Sequence, residues 1–149
     1  MDTVWIVVAD AARARILSCE GRACHGLKDV EAFSHSESRA QSQDLVSDRP
    51  GRGWASASGD ARHAMDQPTD PAHHERERFA RIVADRLKAA HNQGAFKHLA
   101  LVASPSFLGV LREVLDRHVA QVICVEVAKN VVKVESPEAL RPFLPDFLY

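Results

Sequence analysis

The stretch Leu99–Val127 constrains the fold more than any other part of this chain. Leu99-Ala100-Leu101-Val102-Ala103 is a short unbroken apolar run, the pattern of a strand buried on both faces. Ser104-Pro105 reads as a helix cap followed by the first helical residue, and Phe107, Leu108, Leu111, Val114 and Leu115 then form an apolar stripe. Gln121–Val127 reads as a second strand. Strand, crossover helix and strand make a parallel pair with a right-handed connection. Such a unit sets helices against a sheet.

The flanking sequence extends that sheet. Val4–Ala9 is a continuous β-branched and aromatic run, Arg13–Cys19 is another, and Asp10-Ala11-Ala12 between them is short enough for a hairpin. Leu27–Phe33 alternates loosely and predicts a third strand, approached through Gly21 and Gly26. Asp70-Pro71 supplies an acidic cap and a proline for the start of a helix. Phe79, Ile82, Val83 and Leu87 mark its apolar face, and Asn92–Gly94 its stop. Val131–Val134 predicts a short strand after a turn at Lys129-Asn130, and Ser136-Pro137 caps a final helix ending near Leu144-Pro145. The apolar tail Phe147-Leu148-Tyr149 must dock or meet a partner. With 149 residues, 46% of them hydrophobic, the chain suits a single domain with a normal core. The expected class is α/β, bordering on α+β: a mixed β-sheet with packed helices.

A polar segment at about 35–70 interrupts this rhythm and is longer than most loops inside a domain. Within it stands Ser47-Asp48-Arg49-Pro50-Gly51-Arg52-Gly53-Trp54. Gly51 and Gly53 let the backbone approach a ligand closely, and Arg49, Arg52 and Arg62 could grip phosphates. Asp44, Asp48 and Asp60 could instead pair with those arginines. Trp54 could stack on a base, worth ~1–3 kcal/mol, or anchor the segment to the domain. These six residues, Arg49, Gly51, Arg52, Gly53, Trp54 and Arg62, are the candidate RNA-binding set. A net charge of −1 provides no global attraction to nucleic acid, so only a local patch could act.

Other candidates each have a plainer reading. Asp10 ends the first strand, where a two-metal nuclease would carry a carboxylate, but neither Asp85 nor Glu126 converges with it by spacing. A hairpin-turn residue is the simpler account. His73-His74-Glu75 invites a metal, yet adjacent histidines diverge by roughly 100° on a helix and do not share one ion. Ser104 lacks the glycines of a nucleophile elbow and reads as a cap. Arginines along the helix from Pro71 could extend a basic surface, although alternating charges usually form a solvated face. Gly-rich phosphate loops are absent from the sequence, and no cofactor is expected. Cys19, Cys24 and Cys124 form an odd set without a CxxC pair, so reduced thiols are expected. The opening apolar run is too short for a signal peptide or spanning helix, and the expected location is the cytoplasm, away from membrane.

The chain resembles the bacterial host-attachment protein family over nearly its whole length. The resemblance rests on Trp5–Asp10 with Ala12-Arg13-Ala14-Arg15, on Ser47–Arg52, on Phe79-Ala80, and on Leu101-Val102-Ala103 with Leu108-Gly109 and Leu111-Arg112. Lys129-Asn130 departs from that family's lysine and aspartate. The family in turn resembles the central domain of archaeal and eukaryotic peptide-release factors and of Pelota, which implies a mixed sheet with ribonuclease H-like topology. In release factors a loop ending Gly-Arg-Gly-Gly-Gln precedes a long helix; Gly51-Arg52-Gly53 stands in that place. Trp54 and Ala55 replace the second glycine and the glutamine, so peptidyl-tRNA hydrolysis by that route is not implied. The resemblance implies a non-catalytic cytoplasmic domain associated with the ribosome, ribosomal RNA or transfer RNA, which affects host attachment indirectly. A protein-interaction or regulatory module working through the long segment or the tail is the alternative. A metal-dependent nuclease or peptidyl-tRNA hydrolase comes third.

Overall fold

The computed structural model describes residues 1–35 and 71–149. Strand β1 (Thr3–Ala9) sends Val4, Ile6 and Val8 to one side and Trp5, Val7 and Ala9 to the other, and all six are buried. A period-2 element that is apolar throughout must be covered on both faces. It occupies the middle of a five-stranded sheet ordered β3-β2-β1-β4-β5. β2 (Arg13–Glu20) pairs antiparallel with β1 through the expected hairpin, and β3 (His25–Ser34) continues antiparallel. β4 (His98–Ala103) and β5 (Ile123–Ala128) run parallel to β1. The sheet is mixed and carries helices, an α/β fold.

Helix α1 (Pro71–Asn92) buries Phe79, Ala80, Val83, Ala84, Leu87 and Ala90 against one face. It stops where the sequence predicts, with Gly94 at φ 74°, a conformation that favours glycine. Asp70, the expected cap, lies outside the described residues. Helix α2 (Pro105–Val114) lays Phe107, Leu108, Val110 and Leu111 beside α1. Phe79 is the hinge of this layer: its ring meets Phe107 at 5.8 Å and Phe33 at 5.9 Å between centroids. Ser104 holds the cap position of α2 but its side chain makes no capping bond. A short helix α3 (Arg117–Ala120), capped by Asp116 onto the His118 amide at 3.0 Å, lies just before the expected strand, and its last turn closes through the Gln121 and Val122 amides onto the Arg117 and Val119 carbonyls. β5 therefore begins at Ile123.

The C-terminal segment covers the other face. Val131, Val132, Leu140, Leu144 and Leu148 pack on Val4, Ile6, Val8, Leu17, Ala100 and Val102. Val131–Val134 is not a strand, contrary to expectation: the Val134 amide donates to the Val131 carbonyl at 3.0 Å and closes a turn. The valines there serve packing, which β-propensity does not distinguish from strand pairing. α4 (Pro137–Leu140) begins at the Ser136 cap, and a 3₁₀ turn (Arg141–Phe143) ends the helical stretch just before Leu144. Arg15 fastens this layer by donating to the carbonyls of Val134 and Glu135 while pairing with Asp29 at 2.9 Å. The tail docks as well, with Leu148 buried and Tyr149 stacked on His98 at 3.7 Å.

Cys19 and Cys24 form a disulfide, so the expectation of three reduced thiols holds for Cys124 alone. Gly21 at φ 77° and Cys24 at φ 58° fold the intervening residues into a tight turn that brings the two sulfurs together. The spacing lacks a CxxC pattern, but the turn makes that pattern unnecessary.

Candidate functional site

The carboxyl ends of β1, β4 and β5 lie side by side, since Ala9 is in register with Ala103 and Ala103 with Ala128. In open α/β sheets this edge is where ligands bind. The residues that follow the three strands are Asp10, Ser104 and Lys129-Asn130. β3 ends at the same edge because it runs in the same direction as β1, with Ser34 opposite Arg13.

Asp10 is a turn residue, as its hairpin position implies. Its Oδ1 accepts from the amides of Ala12 and Arg13, each at 2.8 Å, and its own amide donates to the Arg13 carbonyl at 2.9 Å. Oδ2 accepts from Asn130 Nδ2 at 3.1 Å. That bond joins the turns after β1 and β5, the two neighbours of β4. Sequence alone does not connect Asp10 with Asn130; they are 120 residues apart, and only the strand order makes them meet.

The other two carboxylates weighed with Asp10 go elsewhere. Glu126 pairs with Arg112 of α2 at 3.4 Å, and Asp85 is exposed on α1. Among the described residues no group of three His, Cys, Asp or Glu side chains is arranged to hold a metal ion. His73 lies 3.8 Å from Glu77 one turn on, an ordinary helix-surface pair. Glu77 is held below the usual carboxylate range chiefly by its hydrogen bond from Arg81.

His35 and α1 mark the two ends of the long polar segment. The His35 amide donates to the Ala12 carbonyl at 2.7 Å, its ring Nε2 meets Glu75 at 2.6 Å, and the ring lies edge-on to Phe79 with centroids 5.3 Å apart. The chain thus leaves β3 at His35, on the same edge as Asp10, and the first turns of α1 meet it there through Glu75 and Phe79. Nothing in the spacing of His35 and Glu75 predicts their contact; the packing of α1 against the end of β3 creates it. An open groove of about 680 Å³ nearby is lined by Arg13, Arg15, Val132 and Lys133 with Asp29, Glu31 and Glu135. Arg15 and Asp29 neutralise each other, and Glu31 pairs with Arg86. Arg13 and Lys133 make no ion pair among the described residues. The candidate contact residues Arg49, Gly51, Arg52, Gly53, Trp54 and Arg62 lie outside the described residues.

Burial pushes the Cys124 thiol up from its ordinary pKa, which favours the unreactive thiol over the thiolate. Among the described residues no helix is long and apolar enough to cross a membrane.

No curated protein matches the chain. Among solved structures, one described as an archaeal protein is similar at 11% identity and a TM-score of 0.48, over 93% of this chain. The chain spans 33% of that protein's length. A family model described as "Protein required for attachment to host cells" matches residues 5–142. The match runs from within β1 into the 3₁₀ turn, and the chain therefore belongs to that family.

Proposed function

We propose that this protein is a non-catalytic cytoplasmic domain that contacts RNA or the ribosome through its long polar segment and influences attachment to host cells indirectly. The observation that carries this reading is the rooting of that segment. His35, where it begins, is tied to Ala12 at one edge of the sheet and meets Glu75 and Phe79 of the helix that follows it. Functional residues are characteristically carried on loops set upon a rigid scaffold. Arg13 and Lys133 stand close to those roots without ion-pair partners among the described residues, which adds local positive charge to a chain whose net charge is −1. The order of parts, Gly51-Arg52-Gly53 ahead of a long helix, resembles that of release factors. Trp54 and Ala55 in place of glycine and glutamine favour contact over hydrolysis.

Ribosome pelleting from cell extracts tests the reading. The protein should sediment with ribosomes at low salt, and Arg52→Ala with Trp54→Ala should return it to the supernatant. Electrostatic contact should also weaken steeply as salt rises. A protein that stays in the supernatant at low salt, with the double variant behaving identically, overturns it.

A protein-interaction role is favoured by one observation, Phe147, which is 60% exposed and lies 5.0 Å from the Arg22 guanidinium. Leu148 belongs to the core, so deleting the tail would disturb folding. Phe147→Ala is the cleaner variant: if pull-down of a protein partner survives it unchanged, the tail is not the contact.

A further inference from the structure

We propose that the Cys19–Cys24 disulfide is a redox latch that controls docking of the C-terminal tail, with a thiol or dithiol reductant as its reaction partner. The two cysteines are 1% and 5% exposed and belong to the same apolar cluster as Leu140, Leu144 and Leu148. The turn they close is also the tail's receptor. The Arg22 carbonyl accepts from the Leu148 amide at 2.8 Å, and the Ala23 carbonyl accepts from Arg141 Nη2 at 3.1 Å. Arg22 Nε in turn donates to the Tyr149 carbonyl. The residues lying between the two cysteines thus hold the tail at its start and its end.

Cys24 supplies the coupling. It has φ 58° and is the only non-glycine residue with positive φ among those described. L-residues other than Asn and Asp rarely adopt that conformation, so something must hold it. The crosslink to Cys19, anchored in β2, does so. With the bond opened, Cys24 is free to return to ordinary backbone angles. That rotation swings the Arg22 and Ala23 carbonyls away from Leu148 and Arg141.

The chemistry is thiol–disulfide exchange. A reductant thiolate attacks one sulfur and breaks the Cys–Cys bond. The displaced cysteine leaves as thiolate and takes a proton. A second reductant thiol then resolves the mixed disulfide, so two electrons and two protons pass to the protein and the reductant leaves as a disulfide. Because both sulfurs are buried under the tail, attack proceeds from the undocked form. Docking protects the bond, and the bond promotes docking, as reciprocal linkage demands.

Hydrogen exchange on the full chain tests this, comparing oxidised protein with protein reduced by dithiothreitol. The Leu148 amide should exchange at least tenfold faster after reduction, while Leu101 in the central sheet should change less than twofold. Cys19→Ser with Cys24→Ser should match the reduced protein and ignore the reductant. Leu148→Ala should be reduced faster than the parent chain. Equal Leu148 exchange in both redox states overturns the latch, as does an equal rise at Leu101, which would mean general destabilisation. Free thiols at Cys19 and Cys24 in protein purified without reductant would overturn it too. If the serine variant does not fold, the oxidised-against-reduced comparison of the parent chain still decides.

Discussion

Replacing Asp10 separates a structural carboxylate from a chemical one. Its Oδ1 closes the β1–β2 turn by accepting two backbone amides at 2.8 Å, and its Oδ2 ties that turn to Asn130 at 3.1 Å. Hydrogen bonds to an ionised group contribute more than neutral ones, but Asp10 is partly exposed and water can replace some of what is lost. Asp10→Ala should therefore cost about 2 kcal/mol in net terms. Asp10→Asn keeps one acceptor for the turn amides and should lose about 1 kcal/mol. For a chain of this size the alanine variant corresponds to a fall in Tm of about 4–8 °C. Urea denaturation of Asp10→Ala, Asn130→Ala and the double variant would give the Asp10–Asn130 coupling, expected at about 0.5–1 kcal/mol. Stability of Asp10→Ala within about 0.5 kcal/mol of the parent chain would refute the turn-holding argument. Loss of a divalent-metal-dependent cleavage at unchanged stability would return Asp10 to a nuclease.

Two further predictions concern the core and acid stability. Phe79 is fully buried between Phe33, His35 and Phe107, so Phe79→Ala should cost about 3–5 kcal/mol; a loss below about 1 kcal/mol in the same urea assay would mean that the site collapses without a cavity. Asp2 is held below the ordinary carboxylate range chiefly by its hydrogen bond with His98, and Glu77 chiefly by Arg81. Carboxylates with depressed folded-state pKa values stabilise the fold above their unfolded pKa, near 4, and lose that contribution as pH falls through the folded value. The urea midpoint should therefore decline as pH drops below about 4, and Asp2→Asn should flatten the decline; a midpoint rising between pH 5 and 3 would contradict this.

Legibility of the chain from its sequence follows the range of the interactions involved. Leu99–Ala103 and Val4–Ala9 are readable because a run that is apolar at both parities has no exposed face to offer. The start of α1 at Pro71 and its stop before Gly94 are readable because caps are local chemistry. Val131–Val134 misleads because the same β-branched valines suit a strand or a buried turn, and only the sheet face beneath them decides which. The cysteines mislead for a related reason. Compartment and spacing argue for free thiols, whereas the positive φ of Gly21 and Cys24 folds the turn that joins them.

The α/β class, the parallel unit from Leu99 to Val127, the hairpin role of Asp10 and the family of the chain are all legible in the order of the amino acids. Each depends on periodicity, turn chemistry or motif residues close together along the chain. That Asn130 completes the Asp10 turn, that His35 meets Glu75 at the root of the polar segment, and that the Cys19–Cys24 turn receives the tail emerges with the folded arrangement alone. Those contacts arise from strand order and from the return of distant chain to one edge of the sheet. Local propensity carries no information about which distant partners that order brings within hydrogen-bond reach.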